Sequence, residues 1–278
     1  MNRLQTNSIA LQLSVSQALL IVLTGLTGIF TPGFYAQESA NWQAQSIGQD
    51  IIDCFLIVPV LVISAIYLKR KSENAFAVWG GINFYLSYTY AIFCFDVHFN
   101  MFFIVYCIIL GMSFYSCLIF FYRMLKAGGK AVQPSGFNFI KLTAFYFICI
   151  AVLFYILWLS EIVPSVIHRE VPSVLKETRL FTNPVHVIDL SIFLPGLIIS
   201  GILLFKRKAP GYQLAPALLT FLVLMNITIG FLMLFMYYKG VEANPVLALF
   251  MGVLAIFSFF LLRLFLKNTE IKPTSPID

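Results

Sequence analysis

Charge is the scarcest property of this 278-residue chain: Asp, Glu, Lys and Arg make up 11% of it, against 60% hydrophobic residues. Soluble domains carry about 25% charged residues, so one water-soluble core is excluded and the long apolar runs read as membrane spans. Histidine is nearly missing. His98, His168 and His186 are the only three, and none falls in the middle of an apolar run. That argues against a haem held across the membrane and against an embedded metalloprotease. The five cysteines lie in apolar runs and form no CxxC pair, so neither a disulfide framework nor a zinc site is indicated. GxSxG and HExxH are absent, as are an Arg-rich voltage sensor and a dense row of intramembrane acids. No metal and no cofactor are expected. The net charge of +6 is spread over short clusters between apolar runs, which points to a lipid bilayer as partner and away from nucleic acid.

What the sequence does contain is eight apolar segments, near 9–30, 50–68, 76–95, 101–122, 139–160, 187–205, 215–238 and 246–266. Each is close to the 20 or so residues that cross a bilayer as a helix. With both termini on the cytoplasmic side, 14 of the 18 Lys and Arg fall inside and nine of the 12 acids fall outside. The positive-inside rule favours that orientation, and the plasma membrane is the expected location. The first segment also has the look of a cleavable signal peptide. Its length, and the need for a helix there in the repeat described next, favour retention.

The strongest signal is a duplication. Residues 52–68 read IDCFLIVPVLVISAIYL and residues 188–204 read IDLSIFLPGLIISGILL, identical at eight of 17 positions. Apolar identities between membrane helices carry little information. An acid, a proline and a serine in one register carry more: Asp53/Asp189, Pro59/Pro195 and Ser64/Ser200. The offset of 136 places the second span on the sixth, and hence spans 1–4 on spans 5–8. The expected fold is an all-α integral membrane protein of eight transmembrane helices. It would consist of two four-helix repeats, residues 1–130 and 131–278, in one compact membrane domain. An even number of spans per repeat gives both the same orientation. Asn100/Asn244 and Arg123/Arg263 echo the repeat more weakly. The 127–130 stretch, Ala-Gly-Gly-Lys, reads as a plain connector.

Candidate ligand-binding residues follow from this arrangement. Asp53 and Asp189 stand at the start of the two repeated spans, either as carboxylates at the mouth of a shared cavity or as first-turn acids complementing helix dipoles. Asp50 and His186 align one turn earlier, each on the same helical face as its aspartate. Pro59 and Pro195 should kink their helices, because proline lacks the N–H that an interior helical position donates. The third span is the most polar and aromatic. Asn83, Tyr85 and Tyr88 are candidates there, and so is Asn226 in the matching seventh span, which has no equivalent tyrosines. The leading functional expectation is a small-molecule or lipid transporter. The alternatives are a membrane enzyme or redox protein acting on a lipid or quinone at the outer leaflet, with Asp53, Asp189 and His186 in acid–base roles, and a non-catalytic sensor or assembly protein.

Overall fold

The structure is a computed structural model that describes residues 3–70, 72–127, 137–178 and 180–268. The connector around Gly128 and Gly129, and with it the boundary between the two expected repeats, lies outside these residues, as does Lys71. Among the described residues every element is helical: α1 (Arg3–Phe30), α2 (Ala40–Ile52), a π segment (Asp53–Ile57), α3 (Val58–Lys69), α4 (Glu73–Asp96), α5 (Phe103–Ala127), α6 (Phe137–His168), α7 (Ser173–Thr178), α8 (Pro184–Ile188), a second π segment (Asp189–Phe193), α9 (Leu194–Phe205), α10 (Ala209–Tyr238) and α11 (Pro245–Asn268). Seven helical stretches are long and apolar enough to cross a membrane. The chain is therefore an all-α membrane protein. The seven are α1, the continuous run from α2 to α3, α5, α6, the run from α8 to α9, α10 and α11. α4 is as long as several of them, but its polar and aromatic side chains keep it out of this set.

Short polar side chains set the helix starts. Ser39 and Ser72 accept from the backbone N–H groups of Trp42 and Ala75. Asn183 accepts from Val185 and His186, and Asn244 from Val246. Each satisfies donors that a helix N-terminus leaves without an intrahelical partner. Asn100 accepts from Phe102 in the same manner, so the Asn100/Asn244 echo is a pair of capping residues. At the other end of α10, Gly240 takes a positive φ of 71° while Val241 N–H bonds to Met236 O. This left-handed helix stop suits a residue without Cβ.

The second helical run begins ten residues before the apolar segment does. Ala40–Gln49 is rich in Asn, Gln and Ser, yet it is helical and buries Ala44, Ser46 and Gly48. Gly48 lies so close to α10 that a Cβ there would come within 2.7 Å of Leu232. Asp53 consequently follows a 13-residue helix. It is not a first-turn acid, and the helix-dipole role expected for it is excluded. Asp189 likewise follows the five-residue α8.

Both repeated segments then widen in the same way. Val58 N–H bonds to Asp53 O and Leu194 N–H bonds to Asp189 O, each spanning five residues. The prolines explain the register. Pro59 and Pro195 offer no N–H to the carbonyls of Phe55 and Ser191, and their rings crowd the preceding turn, so the chain widens into a π turn just upstream. In each case the acid opens the π segment and the proline stands at the start of the following α-helix.

The packing is also paired. α1 packs on α3 as α6 packs on α9, α4 on α5 as α10 on α11, and α3 on α4 as α9 on α10. α2 contacts α10 while α8 contacts α4, and α4 and α10 meet each other at the centre. They pack tightly at Gly81, where an added Cβ would lie 2.3 Å from the carbonyl oxygen of Ala217. These two residues are 136 positions apart, the same offset that relates the repeated segments. α4 and α10 are buried along most of their lengths, whereas α5, α6 and α11 present exposed Ile104, Phe114, Ile156, Leu249, Ile256 and Phe259. Such apolar outer faces match hydrocarbon, and polar groups go to the middle.

One end of the bundle is tied by Arg123. Its guanidinium donates twice to Glu73, at 2.7 and 2.8 Å, and to Asn7 Oδ1 at 3.0 Å, and lies 3.9 Å above the Phe76 ring. Asn7 Nδ2 in turn donates to Leu68 O at the end of α3. Arg263, its expected counterpart, is exposed.

Candidate functional site

α1 presents a stripe of small and polar residues to the centre: Asn7, Ala10, Ser14, Gln17, Ile21 and Thr24 are all buried. This spacing of three and four puts them on one helical face. Across from it, α4 supplies the partners. Trp79 Nε1 donates to Ser14 Oγ at 2.8 Å, and Gln17 donates to Asn83 Oδ1 at 3.3 Å. Asn83 returns its own amide to Trp79 O. Asn83 therefore bonds α1 to α4 and does not join the acids.

The acids sit further along α4, in two clusters reached by tyrosines one turn apart. Asp53 is 1% exposed. Its Oδ1 accepts from Gln49 Nε2 at 2.9 Å and from the Tyr85 hydroxyl at 3.3 Å. Tyr85 also bonds Gln49 at 2.7 Å and Thr228 of α10 at 2.9 Å. The second oxygen of Asp53 is buried without a partner. Asp189 is 6% exposed. Tyr88 donates to its Oδ1 at 3.1 Å and the Trp158 indole to its Oδ2 at 2.8 Å. His186 joins this cluster only indirectly, packing at a tilt against Trp158 with ring centroids 4.5 Å apart.

Asp50 forms a third, adjacent site. Its Oδ2 accepts from the Tyr35 hydroxyl at 2.7 Å, and Gly28 of α1 leaves the room: a Cβ at that position would fall 1.9 Å from Asp50 Oδ2. Burial first, and the Asp50 carboxyl second, push the Tyr35 phenol well above its ordinary range, so it stays protonated and donating. Asn226 stands apart from all three acids, on the α10 side near Tyr146, with a buried amide nitrogen that has no partner. Ser64 bonds back to Leu61 O, while the Ser200 hydroxyl is buried and unpartnered.

Of the residues singled out from the sequence, the fold thus joins Asp53 with Tyr85 and Asp189 with Tyr88. Asp50 lies one turn from the first pair and His186 one ring from the second. Both aspartates are buried, and each is held by its own donors. α4 serves both, and α10 supplies no matching tyrosine. The residue 136 beyond Tyr85 is Phe221, whose ring meets Tyr88 edge-on and Phe193 at a tilt and holds no acid. Gln49, Trp158, Thr228 and Tyr35 complete the clusters and were not among the expected residues. Trp158 carried a legible signal, since a tryptophan in a membrane span needs an acceptor for its indole N–H. Among the described residues no three His, Cys, Asp or Glu side chains gather as a metal site would require. A carboxylate buried among hydroxyls, an amide and an indole is suited to exchanging a proton or a cation when the helices around it move.

No protein-family profile, curated protein or solved structure matches the chain.

Proposed function

We propose that this protein is a membrane carrier for a small molecule or lipid, working through a pair of proline-broken helices. The single observation that carries the reading is the duplicated unit of buried acid, π turn and proline, with both acids held by neighbouring tyrosines of one central helix. A π turn next to proline is a weak point at which a helix bends at little cost, and interrupted helices carrying polar groups are how carriers expose a site alternately to two sides. Bending at either π segment would pull its acid from its tyrosine, coupling helix motion to the protonation or occupancy of the carboxylate.

The same reading takes α4 as an eighth span, sheathed by its neighbours instead of lipid. It takes residues 1–130 and 131–278 as two parallel four-helix repeats about an axis through the Gly81–Ala217 contact. The repeated π segments, the paired helix packing and the meeting of two residues 136 apart support this arrangement. The polar stripe of α1, engaged by α4, supports a first helix that stays in the mature bundle. The distribution of basic residues supports both termini on the cytoplasmic side, and the plasma membrane remains the proposed location.

The test is flux from phosphatidylcholine vesicles loaded with a panel of labelled cations, amines and lipids. Transport is expected for wild type and lost for Asp53→Asn and Asp189→Asn, with both variants folded as judged by gel filtration. Should no solute or lipid move faster than from empty vesicles, the carrier reading falls.

A further inference from the structure

Where α4 ends, the bundle holds a cavity of about 490 Å³ apart from the acid clusters. Ala91, Phe95 and Asp96 form one wall, and Phe181, Val187 and Ile188 form the other. The volume is that of a small-molecule site. Most of the lining is apolar, and the mouth is flanked by side chains that nothing else covers: Phe95 is 78% exposed and Val187 57%. In a membrane protein, an apolar rim of this kind opens to molecules dissolved in the bilayer.

Asp96 sets the chemistry. It is 7% exposed, yet its Oδ2 is buried with no hydrogen-bond partner. Its backbone carbonyl is occupied separately, by the Trp42 indole at 3.2 Å. Glu38 lies near enough to Asp96 to act on it electrostatically. Both Glu38 oxygens are already engaged, by His98 N–H at 2.8 Å and His98 Nδ1 at 2.9 Å. Asp96 and His98 thus line this end of the cavity, and Glu38 bonds His98. A carboxylate held at a cavity wall with one oxygen unpartnered is costly, and an occupant that brings N–H groups and positive charge to that wall lowers the cost.

We infer that this cavity binds an amphiphilic amine, its ammonium against Asp96 and its apolar tail along Phe95 and Val187 toward the bilayer. The ammonium could belong to a free long-chain amine or to the headgroup of an ethanolamine lipid. Ala91 is one turn beyond Tyr88, and Ile188 immediately precedes Asp189, so the site borders the Tyr88–Asp189 pair. Binding there does not depend on transport and stands or falls separately from the carrier reading.

Calorimetric titration of dodecylamine into the full-length protein in phosphatidylcholine nanodiscs, with empty nanodiscs subtracted, tests this. Saturable binding is expected, with dodecanol and dodecanoate weaker by about tenfold or more, the scale of one lost charge-assisted hydrogen bond. Asp96→Asn should weaken the amine about tenfold and spare the alcohol. Ala91→Phe, which fills the cavity, should weaken both. Adding phosphatidylethanolamine to the nanodiscs separates the two sources. Competition assigns the site to the lipid headgroup, and unchanged titration assigns it to a free amine. Three results would overturn the proposal: no saturable amine binding, dodecanoate binding as well as the amine, or Asp96→Asn binding the amine like wild type. If Asp96→Asn does not fold, the wild-type head-group series and Ala91→Phe decide alone.

Discussion

Replacing Gly81 with alanine should separate the two central helices. The added Cβ would lie 2.3 Å from Ala217 O and 2.6 Å from Thr220 Cβ, while ordinary contact begins near 3.4 Å. The oxygen belongs to the backbone and cannot rotate away, so α4 and α10 must part locally by the difference, 3.4 − 2.3 = 1.1 Å. Overpacking of this kind costs roughly 1–3 kcal/mol. Two controls isolate it. Gly111 in α5 and Gly252 in α11 have nothing within 4 Å of an added Cβ, so alanine there should give only the ordinary helix gain of about 0.5–1 kcal/mol. The same helix gain applies at Gly81, so the expected gap between Gly81→Ala and the controls is the overpacking cost itself, roughly 1–3 kcal/mol. Unfolding in mixed micelles by added SDS, followed by tryptophan fluorescence, reads it directly. A Gly81→Ala protein unfolding at the same SDS fraction as Gly111→Ala would refute the close contact and, with it, the axis placed there.

Two further substitutions probe what holds the bundle. Trp158→Phe leaves Asp189 Oδ2 without its donor, and the same SDS titration should show a loss of about 1–3 kcal/mol; a loss no larger than that of Phe154→Leu, a neighbour that holds no acid, would mean the indole bond contributes nothing. Arg123→Lys keeps the charge but gives up the paired contacts to Glu73 and the flat stacking on Phe76, and should cost about 1–2 kcal/mol. In a double-mutant cycle with Glu73→Gln that loss should be mostly shared, and full additivity would show that the two side chains act independently.

The sequence and the fold agree most closely where polar residues recur in register. An acid, a proline and a serine repeated at one offset marked the two segments that carry the π turns, because proline's missing N–H is a local property that any helix must accommodate. The expectation there is a kink, and the π register was not legible. The polar and aromatic third span was legible as a buried helix for a related reason: hydroxyls and amides on all its faces have no partners in lipid. The start of α2 was not legible. Asn41, Gln43, Gln45 and Gln49 look like loop by hydropathy, and only their contact with α10 makes a helix of them. That error moved Asp53 to a helix end and hid Gln49, its neighbour one turn back. Asn83 and Asn226 were chosen by residue type, but type does not say which neighbour a side chain meets. Asn83 bonds toward α1, and Asn226 faces Tyr146. Which of the two α4 tyrosines serves which acid depends on how the halves are packed, and no local pattern encodes it.

The division of labour on α4 also gives the chain a temporal order. Synthesis runs from the N-terminus, so Tyr88 and Trp158 already exist when Asp189 emerges, respectively 101 and 31 residues after them. That acid can enter the membrane beside donors that are waiting for it. Asp53 has no such advantage: Tyr85 follows it by 32 residues, and the Thr228 that braces Tyr85 comes 143 residues after the tyrosine. Until Tyr85 is made, only Gln49, on its own helix, can share the load. Asp53 is therefore made 32 residues before its tyrosine donor, and the brace on that tyrosine comes only with α10. A fragment that began at α6 would lack Tyr88 and leave Asp189 with the Trp158 indole as its one remaining donor of the two.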